Sequence, residues 1–201
     1  MVTELLYAYV NGLFPMAGES GEIGWYAPDP RAIIPIDAYK PCKSLKPIIN
    51  KGQFEVVINR KFKEVMKECS LPRFEGDGVW ISSELIAMYT ELHEMGFAHS
   101  VEAYESGELV GGLYGVSMGG AFFGESMFHK VSNASKVAFH YLVERLRARK
   151  FHLLDTQFIN DNVLRYGAIE IPKEKYMTIL EKALALPTGF VESQPSISFE
   201  E

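Results

Sequence analysis

Two short stretches of this sequence place polar side chains where an apolar run is about to end. In LLDTQ, at 153–157, a run that begins on two leucines closes on Asp155 and Gln157. Residues two apart in a strand project to the same face, so a carboxylate and a carboxamide would stand side by side. Such a pair at the C-terminal end of an apolar strand reads as a site, and Asn160 follows within reach. A strand running out into a loop would give the same letters. In GESMF, at 124–128, Glu125 stands between a glycine and an apolar strand end, near the centre of the expected sheet. The plainer alternative there is a polar strand end beside a turn.

Other chemistries are excluded by spacing. GESMF brushes the GxSxG nucleophile elbow, but Phe128 replaces the last glycine and no helix follows at once, so a serine hydrolase is rejected. His93 and Glu94 begin like a zinc-protease helix, yet the next histidine is His99, past the i+4 position that puts two ligands on one face. No metal site is expected. The segment HKVSNASK joins a strand to a helix that Asn133 can cap. In an acetyltransferase this junction would be a glycine-rich loop holding the CoA pyrophosphate on backbone N–H groups. It holds no glycine here, so a CoA-dependent N-acyltransferase is the disfavoured alternative and no cofactor is expected.

Composition bounds the setting. Of the 201 residues, 47% are hydrophobic, enough for a packed core. No apolar run is long enough to span a membrane, and MVTELLYAYVNGLFPM carries Glu4 and no basic n-region, so it is not a secretory signal. Cys42 and Cys69 form no CxxC, which fits a reducing compartment and a cytoplasmic location. A net charge of −6 argues against wide, sequence-blind nucleic-acid binding. A local basic patch is still possible, since Lys40, Lys43, Lys46 and Lys51 fall in a stretch without acids, and Arg60, Lys61, Lys63 and Lys67 follow. A solvated surface has the same composition.

The elements that would position these residues follow from periodicity. A short helix over 4–10 ends near Asn11-Gly12, and the rest to Pro30 reads as loop. Strands are expected at 31–36 and 54–58, and helices at 60–69 and from Ser82 or Ser83 to Met95, with Gly96 as the stop. Residues 99–104, 109–116 and 121–127 alternate between turn signals and predict an antiparallel meander. A helix over 134–149, a strand over 151–156, a short helix over 161–166, a strand over 169–171 and a last helix over 173–184 complete the order. The domain reading is a small N-terminal element over 1–30, a catalytic domain over 31–190, and a tail over 191–201 expected to be mobile. The fold class is α/β (α+β), an N-acetyltransferase-like (GNAT) mixed sheet with flanking helices. That analogy carries little functional weight alone.

The phrases YVNGLFPM, WYAPDPRAIIP, LHEMGFAHSVEAY, ELVGGLYGVSMGGAFFGESMFHKVSNASK, LLDTQFINDN and GAIEIP, in this order, make the chain resemble the leucyl/phenylalanyl-tRNA–protein transferase family. The resemblance covers residues 4–190. It implies that an aminoacyl-tRNA is the donor and that a protein with N-terminal Arg or Lys is the acceptor. The acceptor α-amine attacks the ester carbonyl, and the product carries a new N-terminal Leu, Phe or, less often, Met that marks it for degradation. No ATP, CoA or metal is needed, because the ester is already activated.

By the same resemblance Asp155 and Gln157 are the catalytic pair. The Gln157 carbonyl can accept an N–H from the amine, and Asp155 can accept from the Gln157 amide and take the proton through such a relay. Glu125 and Asn160 contact the acceptor or hold the network. The donor side-chain pocket falls on Leu113, Phe122, Phe139, Leu142, Leu146 and Leu154, all apolar, so that plain core would look the same. Trp80 would meet the terminal adenosine. Longer family members carry an N-terminal leader ahead of the matched part, and many place an aromatic residue where Met16 stands. Both differences bear on pocket order and on the choice among Leu, Phe and Met.

Overall fold

The expected meander is the centre of the molecule. In the computed structural model, which describes residues 2–18, 22–72 and 81–195, β5 (Ala98–Glu105), β6 (Glu108–Met118) and β7 (Ala121–His129) run antiparallel in sequence order. The two-residue turn between β5 and β6 is Ser106-Gly107, with φ of 52° and 84°. Positive φ at both central residues matches the right-handed twist of the strands.

The remaining strands extend the meander on both sides. The 7-stranded sheet has the order β4-β5-β6-β7-β8-β3-β9, with β3 at Arg31–Ile33, β4 at Glu55–Ile58, β8 at Leu153–Gln157 and β9 at Ile169–Ile171. Only β7 and β8 are parallel; their other neighbours pair antiparallel, which makes the sheet mixed. The crossover between β7 and β8 is α5 (Ala134–Ala148), the helical connection a parallel pair requires.

Strand alternation sends side chains to two cores. Tyr114, Val116, Phe123 and Leu153 pack against α1 (Val2–Val10), α3 (Phe62–Cys69), α4 (Ser83–Glu94) and α7 (Lys173–Leu184). Leu113, Phe122 and Leu154 pack against α5 and the segment that carries Tyr39 and Leu45. Helices therefore cover both faces. Ser82 caps α4, its Oγ accepting from the Leu85 N–H at 3.2 Å, as the serine signal predicts.

Three features differ from the sequence reading. The segment expected as loop to Pro30 contains a hairpin, β1 (Phe14–Ala17) with β2 (Ile23–Tyr26), whose Pro15 and Gly24 read as loop signals. A helix, α2 (Lys46–Lys51), lies in the lysine-rich stretch and ends on Gly52 at φ 64°. Asn133 does not cap α5 with its side chain. It sits at φ 70° and its Oδ1 accepts from Lys136 Nζ instead. Of the segment 191–201, residues 191–195 are described, and Gln194 there donates to the Ser117 carbonyl at 2.6 Å and accepts from the Phe190 N–H at 2.6 Å.

Candidate active site

The parallel pairing of β7 with β8 stops at Phe123 and Asp155. Just past that point both strands become irregular. On β7, Tyr114 faces Ser126 and Gly115 faces Gly124, so Glu125 is the unpaired residue of a β-bulge. A bulge re-aims the side chain it carries. Its neighbour must be glycine, because a Cβ on Gly115 would lie 2.3 Å from the Phe123 carbonyl oxygen and 2.5 Å from the Phe122 ring. On β8, Ala32 pairs with Gln157 and Ile33 with Asp155, so Thr156 is skipped. Gln157 itself holds φ at 65°, a left-handed conformation that costs energy for any residue but glycine.

These two irregularities bring Glu125 and Gln157 together. The Gln157 Nε2 donates to Glu125 Oε1 at 2.9 Å. Tyr9, from α1, donates to the same oxygen at 2.6 Å, and its hydroxyl lies 2.5 Å from that of Tyr89 on α4. Burial pushes the Glu125 carboxyl up to about 7, against the pull of the Tyr9 and Tyr89 hydroxyls. Burial and the Glu125 charge likewise raise the Tyr9 and Tyr89 hydroxyls well above their ordinary value, so both are neutral donors.

Asp155 occupies different surroundings from those expected. It is fully buried and accepts four hydrogen bonds: Arg31 Nε at 3.0 Å, Arg31 Nη2 at 2.7 Å, Tyr176 OH at 2.7 Å and the backbone N–H of Gln157 at 2.8 Å. An ionised carboxylate has about four lone-pair sites, and these donors fill them. The Gln157 side-chain amide therefore belongs to Glu125, and Asp155 holds the Gln157 backbone. Arg31 is buried too, between the Phe14 and Tyr176 rings, with Nη1 on the Gly12 carbonyl at 2.8 Å. Burial works against its charge, but the Asp155 carboxylate more than offsets that and raises the guanidinium's pKa.

Beside Glu125 and Gln157 opens a cavity of about 240 Å³. That is below the roughly 300–1,000 Å³ of drug-sized pockets and suits a single amino-acid side chain. Of the six residues that the resemblance assigns to a donor pocket, Leu113, Phe139, Leu142 and Leu154 line it. Phe122 and Leu146 are not among its lining residues. Both are fully buried in the core under α5, and Phe122 packs on Phe190 with ring centroids 5.2 Å apart.

Other parts of the wall come from Met16, which the sequence reading tied to pocket order, and from residues it did not single out. Phe14 and Met16 reach it from β1, and Phe158, Val163 and Tyr166 from the segment around α6 (Asp161–Arg165). Tyr166 stacks on Phe139 at 3.9 Å between centroids and 19° between planes. Asn160 lines the cavity and is also the N-cap of α6, its Oδ1 accepting from the N–H groups of Asn162 and Val163. Only its amide NH2 is left to offer a substrate. Trp80 lies outside the described residues.

Among the described residues no cluster of three or more His, Cys, Asp or Glu side chains is placed to hold a metal ion, and no helix is long and apolar enough to cross a membrane. The lysines and arginine named above, Lys40 to Lys67, are exposed. Arg60 pairs with Glu55 and Lys61 with Glu64.

Fold and site thus define a mixed α/β protein whose two central strands leave regular pairing around a carboxylate–carboxamide pair beside an apolar, side-chain-sized cavity. The chain belongs to the leucyl/phenylalanyl-tRNA protein transferase family. The model of that family matches residues 33–181, and the model of its N-terminal domain matches residues 2–29. Proteins named leucyl/phenylalanyl-tRNA–protein transferase are similar throughout. That of Chlorobaculum parvum is 49% identical over 191 residues, covering 94% of this chain and 98% of its own length. That of Gloeobacter violaceus is 50% identical over 187 residues, covering 92% and 95%. That of Herpetosiphon aurantiacus is 51% identical over 187 residues, again covering 92% and 95%. Among solved structures, the L-PGS of Bacillus licheniformis aligns over 90% of this chain and 70% of its own, with a TM-score of 0.45 and 10% identity.

Proposed function

We propose that this protein transfers leucine, and also phenylalanine and less readily methionine, from aminoacyl-tRNA to the α-amine of proteins that begin with Arg or Lys. The product's new N-terminus marks it for degradation, and the reaction runs in the cytoplasm without a cofactor. Family membership supports the reaction class. The observation that carries the site is the 2.9 Å hydrogen bond from Gln157 Nε2 to Glu125 Oε1 in the wall of a largely apolar cavity.

In this reading the donor's side chain enters the cavity and is selected by apolar burial, at roughly 25 cal/mol per Å². Leu113, Phe139, Leu142 and Leu154 are its contacts. The acceptor α-amine, which ordinarily titrates at about 8, is partly neutral near pH 7 and needs orientation more than a strong base. Gln157 Oε1 accepts one of its N–H groups and aims the lone pair at the ester carbonyl. Asp155 acts through the backbone of Gln157, fixing the strained turn that presents the amide. The Asn160 amide contacts the acceptor. Trp80 stacks on the terminal adenosine. Residues 31–190 are the catalytic domain, of the N-acetyltransferase-like kind. Residues 1–30 complete its site, since Tyr9 reaches Glu125 while Phe14 and Met16 line the cavity.

The test is incubation with radiolabelled Leu-tRNA and a protein bearing N-terminal Arg. Label in the protein is the expected result. Label that stays on tRNA, or appears equally on an acceptor whose N-terminus is acetylated, rejects the reading.

A further inference from the structure

We propose that the carboxylate of Glu125, rather than that of Asp155, takes the proton that the acceptor amine releases during transfer. The proposal rests on the aminoacyl-transfer reading above and assigns it a proton acceptor.

Geometry separates the two carboxylates. Asp155 is sealed from solvent, is not part of the cavity wall, and has its lone pairs filled by Arg31, Tyr176 and Gln157. A proton arriving there would have to break a bidentate ion pair with a buried guanidinium, which is costly. Glu125 lines the cavity and shares an oxygen with the Gln157 amide. Its two oxygens are unequal: Oε1 accepts from Tyr9 and Gln157, while Oε2 is buried and has no hydrogen-bond partner. A charged carboxylate oxygen held away from water without a donor is unfavourable, and a proton on it removes the penalty.

The charges around Glu125 leave this balance in place. Tyr9 from α1, Tyr89 from α4 and Tyr114 from β6 face it as neutral hydroxyls, each raised well above its ordinary value by burial. Asp155 on β8 adds a like charge, and Arg31 on β3 an opposite one that Asp155 already engages. Burial dominates and carries the carboxyl up to about 7. A base is most effective when its pKa lies near the working pH.

The step balances without an outside reagent. The amine lone pair forms the C–N bond, and the carbonyl π pair moves onto oxygen. The nitrogen then carries one proton too many, which passes to Glu125 while Gln157 Oε1 holds the other N–H. The oxygen pair returns to carbon, the bond to the ribose oxygen breaks, and that oxygen takes the proton from Glu125. Peptide and free tRNA leave, and the carboxylate is restored.

The experiment is single-turnover transfer from Leu-tRNA to an Arg-ended peptide, followed across neutral pH in wild type, Glu125→Gln and Asp155→Asn. A second peptide with a less basic N-terminal amine separates the acceptor's own titration. For wild type, a break near about 7 that stays put when the peptide is exchanged is expected. Glu125→Gln should abolish that break and slow the plateau by roughly 10²–10⁴-fold, with the half-saturating peptide concentration little changed. Asp155→Asn should slow transfer yet keep the break.

A break that moves only with the peptide, or a Glu125→Gln variant whose rate is near normal or whose loss lies only in peptide affinity, overturns the proposal. Carbon-13 NMR of the glutamate carboxyls checks it without turnover: one should titrate near about 7 and vanish in Glu125→Gln, and an ordinary carboxylate value for Glu125 also overturns it. Wild-type protein that transfers nothing removes the aminoacyl-transfer reading and this one together. Transfer that runs at a near-normal rate in Glu125→Gln removes only this one.

Discussion

Arg31 Nη2 and Asp155 Oδ2 lie 2.7 Å apart with side chains 2% and 0% exposed, so strand β3 and strand β8 are joined by an ion pair that water does not reach. The pair closes with Tyr176 from α7 and the Gly12 carbonyl next to β1, and ties the N-terminal element, the sheet and the last helix to one point. It holds Gln157 in its strained conformation through the backbone N–H.

Removing one partner of such a pair leaves the other charge buried. Asp155→Ala should therefore destabilise the protein by about 3–5 kcal/mol, beyond any effect on transfer. The double change Arg31→Met with Asp155→Leu should recover much of that loss without restoring transfer, since Gln157 stays unheld. Urea unfolding of the three proteins checks this. An Asp155→Ala midpoint equal to wild type would show that the pair does not stabilise the fold.

Donor choice should follow the cavity wall and not the whole apolar set. Narrowing it with Leu142→Phe should penalise Phe transfer more than Leu transfer. Leu146→Met, a change in the core behind it, should alter stability by less than about 1.5 kcal/mol and leave the Leu-to-Phe ratio as it was. Charged donors should be rejected strongly, because a buried unpaired charge is costly. A competition among Leu-, Phe-, Met- and Asp-tRNA with one acceptor measures donor choice in each variant. A ratio that moves with Leu146 as much as with Leu142 would contradict the cavity as drawn.

Stability should respond to pH through Glu125. Its folded value, raised to about 7, lies above the ordinary 4.5, so the folded state holds a proton that the unfolded chain has lost. Stability from this group is full below about 4.5 and declines as pH rises toward about 7. Glu125→Gln lacks the titration. Its stability relative to wild type should improve over that window by on the order of 1–3 kcal/mol. Parallel unfolding curves at mildly acidic and mildly alkaline pH measure it, and a constant difference would show that Glu125 titrates as an ordinary carboxylate.

Binding of tRNA should weaken with salt along a shallow slope. The chain is net −6, and two of the exposed cations in the basic stretch, Arg60 and Lys61, are already paired with Glu55 and Glu64. Each phosphate neutralised adds about 0.7–0.9 to the slope, so a footprint of few lysines gives a small value. Replacing Lys40, Lys43 and Lys46 together by Gln should flatten it further. A slope unchanged by that replacement would move the tRNA surface elsewhere.

The meander, α4, α5 and α7 were legible because each has a long period and clear stops, such as Ser82 before α4. The β1–β2 hairpin was not, because Pro15 and Gly24 punctuate its two strands and read as loop, whereas the equally short β4 and β9 carry β-branched residues. Asp155, Gln157 and Glu125 stood out as polar residues at the ends of apolar runs. Their connections did not, since the bulge at Glu125 and the positive φ at Gln157 break the alternation on which face assignments rest. Arg31, the first residue of RAIIPI, was read only as part of a strand, and nothing in the sequence pointed to its burial against Asp155. The cavity showed the same limit: Leu142 and Leu146 are identical in type, and only packing decides that one faces the cavity and the other the core.

The most direct measurement is mass analysis of an Arg-ended acceptor after one turnover with Leu-tRNA, using wild type and Gln157→Ala at equal, verified folding. Wild type should give an acceptor heavier by one leucine residue at its N-terminus, and Gln157→Ala a rate lower by roughly 10²-fold or more, from lost orientation of the amine. An acceptor that gains no leucine, or gains it equally fast with both proteins, would contradict the proposed transfer.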